Sequence, residues 1–193
     1  MEKLSLKDIL PLTEYERIRE DFRKKVIEIK RRRRVVIGDL ISLTFENRQT
    51  VKFQIQEMMH AEQMREEEKI EEEVETFNDL IPGKRELSAT LFIEVEEQQK
   101  IREVLDSFKG IDDGRSLYLQ IGDEKIFGIF EAGRSTEEKI SSVHYVKFPL
   151  TDRQAEDFIR GSRPAALIVD HRNYKMATAI TPETREELAK DLV

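Results

Sequence analysis

Apolar residues at Tyr15, Ile18, Phe22, Val26 and Ile29 recur every three or four positions, the period of one helix face. The spacing predicts a helix from Thr13 to about Arg33, with Thr13 and Glu16 placed as a capping box. The cations Lys30 to Arg34 complement its carbonyl end. After Val35-Val36-Ile37 and Gly38-Asp39, residues 40–46 and 50–55 alternate and are β-branched or aromatic, which predicts two strands. Asn47-Arg48-Gln49 reads as the hairpin turn between them. Residues 56–80 read as a helix, with a stripe of Ile70, Val74, Phe77 and Ile81 and a polar middle from Arg65 to Glu68. Pro82-Gly83 closes this portion.

The second half repeats an order of elements. Residues 88–95 read as a strand and 97–109 as a helix with Ile101, Val104, Leu105 and Phe108 inward. Residues 116–121 and 125–131 form a hairpin around Gly122-Asp123-Glu124. The series then recurs. Residues 142–148 are a strand, and 152–160 a helix capped by Thr151 with Gln154 reciprocating. Residues 165–169 and 174–180 are a hairpin around Asp170 to Asn173. A last helix starts at Thr181, with Pro182 in the first helical position. The expectation is an α+β fold: a mostly antiparallel sheet or partly closed barrel from two βαββ units, with helices on one side and an N-terminal helix–β-hairpin–helix portion. No segment has linker composition, so residues 1–193 read as a single domain, with the helix–hairpin–helix part at 1–83 and the duplicated part at 84–193.

Composition removes several chemistries. There is no Cys, which excludes disulfides, thiol nucleophiles and thiolate-held metals or clusters. The start, MEKLSLKDIL, has no apolar core of signal-peptide length, and no stretch approaches the ~18 apolar residues of a membrane span. A cytoplasmic protein is expected. Charged residues are as common as apolar ones, 38% each, so the surface must be dense in ion pairs.

The net charge of −7 argues against nucleic acid as the main partner. Its layout is bipolar. Residues 1–36 carry twelve Lys/Arg against seven Asp/Glu, and residues 57–79 carry two against ten. Arg31, Arg32, Arg33 and Arg34 are candidates for holding phosphate, RNA or an acidic partner surface. The plainer reading is a solvated helix end paired with the acidic helix at 57–79. Nucleic-acid binding is disfavoured because no aromatic side chains interleave with the basic ones.

Three further constellations carry chemistry. Glu57 and His60 have the Glu-x-x-His spacing of a di-iron ligand pair, but the motif occurs once and such a site needs it twice. His144, Asp170 and His171 would suffice for a two-His-one-carboxylate metal site, or for a general base with its orienting acid, if their strands are neighbours. The alternative is a hydrogen-bonded core histidine and an ordinary turn. Gln54, Gln56 and Glu57 crowd a strand–helix junction with Phe53 and Met58, as a recognition pocket or merely a helix cap. The glycines match no phosphate loop or dinucleotide fingerprint, and no Gly-x-Ser-x-Gly occurs.

Three segments carry a family resemblance: residues 12–59 (LTEYERIREDFRKKVIEIKRRRRVVIGDLISLTFENRQTVKFQIQEMM), 143–151 (VHYVKFPLT) and 169–180 (VDHRNYKMATAI). As a set they resemble the uncharacterised bacterial family catalogued as domain of unknown function 3501. The resemblance spans nearly the whole chain and implies no catalytic role for any residue. It implies a context, beside rubrerythrin-like proteins and iron–sulfur oxidoreductases of the heterodisulfide-reductase type. No cofactor is expected of the chain itself: without Cys it cannot hold a cluster by thiolates, so an electron carrier would belong to a partner.

The leading expectation is thus a non-enzymatic accessory protein that docks to a redox enzyme through its charged helices. The alternatives are a metal-binding protein or metal-dependent enzyme using His144, Asp170 and His171, and a phosphate- or RNA-binding module using Arg31 to Arg34. Open sheet edges are compatible with a homodimer.

Overall fold

Helix α1 (Leu12–Arg33) forms where the periodicity predicts it. Tyr15 and Val26 are buried on its inner face, whereas Ile18 is exposed. The Thr13–Glu16 capping box does not form. The helix instead follows Pro11, whose carbonyl accepts from the Glu14 and Tyr15 N–H groups at 2.9 and 2.9 Å. The computed structural model describes residues 1–133 and 140–193.

The predicted hairpin of 40–46 with 50–55 is displaced. Strand β1 (Arg34–Ile37) turns through Gly38, at φ 67°, into β2 (Ile41–Phe45), and these two pair. Residues 48–62 are helix α2 (Arg48–Glu62). Local capping decides the matter. The Asn47 side chain accepts from the N–H groups of Gln49 and Thr50, each at 3.0 Å, and the Thr50 hydroxyl accepts from Asn47 N–H at 2.9 Å. Once the helix starts, Val51, Ile55 and Met59 fall four apart and are all buried, and that packing overrides their strand-like composition. The single helix expected over 56–80 is broken: Gln63 takes a left-handed conformation at φ 52°, and α3 (Glu67–Asn78) begins after it.

The second half follows its expected order: β3 (Glu86–Ile93), α4 (Ile101–Ser107), β4 (Leu117–Ile121), β5 (Glu124–Phe127), a short β6 (Ile129–Phe130), then β7 (Val143–Pro149), α5 (Asp152–Arg160), β8 (Ala165–His171), β9 (Tyr174–Ala179) and α6 (Pro182–Ala189). The Thr151–Gln154 capping box and the Thr181 cap both form.

All strand pairs are antiparallel, and they divide between two sheets that do not close into a barrel. The first sheet has the order β1-β2-β3-β7-β6, the second β5-β4-β8-β9. The two βαββ units exchange equivalent strands: β3 pairs with β7 (Ala89 opposite Val146) and β4 with β8 (Leu119 opposite Leu167). That pairing is the one two repeated units would make if related by a two-fold axis. Gly128 is where the chain leaves the second sheet for the first. A Cβ there would stand 2.7 Å from Val146 Cγ1, so the crossing strand lies directly on β7.

The main core lies between the sheets, built from alternate residues such as Ile41, Leu43 and Phe45, Leu87 and Leu91, Val146 and Phe148, and Leu117, Leu119, Leu167 and Val169. The intervening residues of the first sheet are polar yet buried: Ser42, Thr44, Ser88 and Thr90. A smaller apolar cluster joins α2 and α3, from Val51, Ile55, Met59, Ile70, Val74 and Ile81. Among the described residues no helix is long and apolar enough to cross a membrane.

Candidate functional site

The arginine run at the end of α1 is divided among separate tasks. Arg33 is fully buried. Its guanidinium donates to the carbonyls of Phe45 (2.8 Å) and Glu46 (3.0 Å), pairs with Asp191, and lies 3.5 Å from Glu187. Burial pushes the Asp191 carboxyl above its ordinary value, with Arg33 pulling it down. Arg31 pairs with Glu28 at 3.0 Å and Arg32 with Glu183 at 3.8 Å. Arg34 pairs with Glu94, which also accepts from the Ser42 hydroxyl. The run therefore presents no common anion cradle. Its ion partners among the described residues are Glu28 of α1 itself, Glu183, Glu187 and Asp191 on or just beyond α6, and Glu94 just beyond β3, not the acidic helices at 57–79 that the charge layout suggested.

His144, Asp170 and His171 are not brought together as a ligand set. His144 is buried in β7, where its Nε2 bonds the Ser141 carbonyl at 2.8 Å and its ring meets Phe130 edge-on. His171 ends β8 in the other sheet. Its ring stacks on Phe108, and its Nε2 bonds the Lys109 carbonyl at 3.1 Å. Asp170 pairs with Lys175 at 3.0 Å across the hairpin. Among the described residues no three His, Asp or Glu side chains are placed to share a metal ion.

Glu57 and His60 both reach back to α1. Glu57 takes Arg19 in a forked pair at 2.7 and 2.8 Å and accepts from the Tyr15 hydroxyl at 2.6 Å. The Arg19 guanidinium holds the Glu57 carboxyl below the usual range. Burial, and then Glu57, push the Tyr15 phenol up. His60 Nδ1 lies 3.6 Å from Glu16. The Glu-x-x-His spacing is thus a stitch between two helices. Gln54 donates to the buried Glu46 carboxylate at 3.0 Å, beside Thr90 at 2.7 Å and Thr50. Gln56 accepts from Leu10 N–H at 2.8 Å and donates to Leu10 C=O at 3.2 Å, so its amide fastens the N-terminal segment.

Two concavities emerge that residue-by-residue reading did not find. One is an open groove of about 760 Å³ where α1 passes over the edge of the first sheet. Its floor is Ile27, Val36, Thr44 and Phe92, and its rim is Lys30, Arg31, Arg34 and Glu94. Ile27 and Val36 are 53% and 51% exposed, unusual for such side chains. Lys30 has no ion partner among the described residues. The available sequence signal was Ile27, an apolar residue off the helix stripe, and Val36, whose neighbours Val35 and Ile37 point into the core. The second is an apolar pocket of about 320 Å³ beneath residues 6–13, beside the break between α2 and α3.

The fold and these features define an α+β protein of two antiparallel sheets with surface concavities. The chain belongs to the family described as "Protein of unknown function (DUF3501)", whose sequence profile matches residues 3–192. It is similar to a solved structure, a novel protein of unknown function from Burkholderia pseudomallei. The two are 33% identical, with a TM-score of 0.92 over 100% of both chains. No curated protein matches.

Proposed function

We infer that this chain is an accessory interaction protein, and that the groove beside α1 receives a partner segment carrying apolar side chains and acidic flanks. The observation that supports this most is the exposed pair Ile27 and Val36, set between Lys30, Arg31 and Arg34. An apolar centre with a charged rim is the usual layout of a protein-docking patch, and its basic sign selects an acidic partner. The family context points to a redox enzyme as that partner, an iron–sulfur oxidoreductase or a rubrerythrin-like protein.

A photo-crosslinking residue at Val36, with one at exposed Ile101 as control, tests this in the native host. The expected result is a Val36-specific adduct with an oxidoreductase, weakened by salt and abolished by Lys30→Glu with Arg31→Glu. An adduct that survives the charge reversal, or that forms equally from Ile101, would overturn the docking reading. A specific adduct with a protein of another class would overturn its redox part alone.

A further inference from the structure

The pocket beneath the N-terminal segment is held open by paired fastenings. Asn78 accepts from Leu4 N–H at 2.8 Å and donates to Leu4 C=O at 2.9 Å. Gln56 does the same at Leu10, at 2.8 and 3.2 Å. Each amide satisfies both backbone groups of one leucine, as a neighbouring strand would. Between the two fastenings, Arg48 pairs with Asp8, and Asp8 closes a small turn with Ser5. Residues 4–10 are thereby pinned at both ends and in the middle, to α3 through Asn78 and to α2 through Arg48 and Gln56.

Beside this segment lies a cavity of about 320 Å³ lined by Leu6, Ile9, Met59, Met64 and Ile70. That volume lies at the lower end of small-molecule sites, and the lining is apolar as such sites are. Two methionines make it adaptable in shape. Two charged side chains, Arg65 and Glu67, also line it, and both are exposed. Neither makes an ion pair with any described residue, so both charges are available at the pocket's mouth.

We propose that this pocket binds a free α-amino acid with an aliphatic, thioether or phenyl side chain. The apolar side chain fills the space between Leu6 and Met59, the carboxylate meets Arg65 and the ammonium meets Glu67. A simple fatty acid satisfies only Arg65 and sets its carboxylate against Glu67, and an alkylamine has the converse fault. The site is separate from the groove beside α1, so either proposal can fail alone.

Methyl-resolved NMR titration of the full chain with L-leucine, L-methionine and L-phenylalanine tests this, with isocaproate and isoamylamine as single-charge analogues. The expected result is saturable shifts of the Leu6, Ile9, Met59 and Ile70 methyls. The analogues should bind up to about five-fold more weakly, the scale of one exposed ion pair. Arg65→Ala, at an exposed position, should erase the preference over isoamylamine while leaving the fold intact. Leu6→Trp should fill the space and abolish the shifts. Absence of saturable shifts with all three amino acids would overturn the proposal. So would equal affinity for isocaproate and leucine, or shifts unchanged in both variants.

Discussion

Arg33 at the end of α1 and Asp191 just beyond α6 form an ion pair buried from solvent, although 158 positions separate them in the chain. The guanidinium also holds the Phe45 and Glu46 carbonyls, so it joins helix, sheet and C-terminal helix at one point. Removing one partner strands the other in a dry site. Arg33→Ala should therefore cost about 3–5 kcal/mol, whereas Arg31→Ala, its exposed neighbour, should cost under about 1 kcal/mol. Replacing both partners by Arg33→Met with Asp191→Leu should recover much of the loss. Urea denaturation of the four proteins checks the ranking, and equal midpoints for the two single variants would contradict it.

Gly128 should not tolerate a side chain. Its added Cβ meets Val146 at 2.7 Å and Phe148 at 3.3 Å, both on β7 and both in the main core. Gly128→Ala should cost about 1–3 kcal/mol through overpacking, and Gly128→Val more. A thermal melt reads this directly. An unchanged Tm for Gly128→Ala would mean that the crossing from β5 to β6 is looser than described.

Asn47 decides that 48–62 is helix and not strand. Asn47→Ala removes acceptors for two N–H groups and should cost about 0.5–2 kcal/mol, whereas Asn47→Asp, which keeps an acceptor, should cost little. Amide hydrogen exchange localises the effect: protection should fall first at Gln49, Thr50 and Val51.

The Asp8 fastening is pH-dependent. The Ser5 N–H bond, and then Arg48, lower its carboxyl from 3.8 to about 2. A depressed carboxylate stabilises the fold fully above its unfolded value and loses that contribution as pH falls through its folded value. Asp8→Asn should thus be less stable than the parent above pH 3.8, with the gap closing as pH falls towards about 2. Denaturant midpoints across that window measure it. A gap that stays constant down to the lowest pH would assign the loss to packing instead.

The sequence was most legible where one signal dominated. Helix α1, the Thr151–Gln154 and Thr181 caps and the order of elements in the second half all appear where periodicity and capping place them, although Ile18 of the predicted stripe is exposed. It misled where local and long-range preferences disagree. Residues 50–55 alternate like a strand, but their stripe also fits a helix four residues at a time, and the Asn47 cap tips the balance. The candidate sites fared differently. Arg33 looks like its neighbours in sequence, and only the return of α6 makes it a core residue. His144 falls in the first strand of the second expected unit and His171 at the tip of its hairpin, but strand pairing sends the two to different sheets. Ile27 and Val36 hint locally at an apolar surface, but the groove and the pocket themselves depend on which elements meet.

The Arg33–Asp191 pair also sets a timetable for synthesis. At roughly 5–20 residues per second, the ribosome delivers Asp191 some 8–30 s after Arg33. Through that interval α1 can form, but its last turn cannot enter the interior without stranding a charge. The nascent chain must keep that helix end wet until nearly everything downstream has emerged. The first long helix of this protein is thus among the last elements to be sealed.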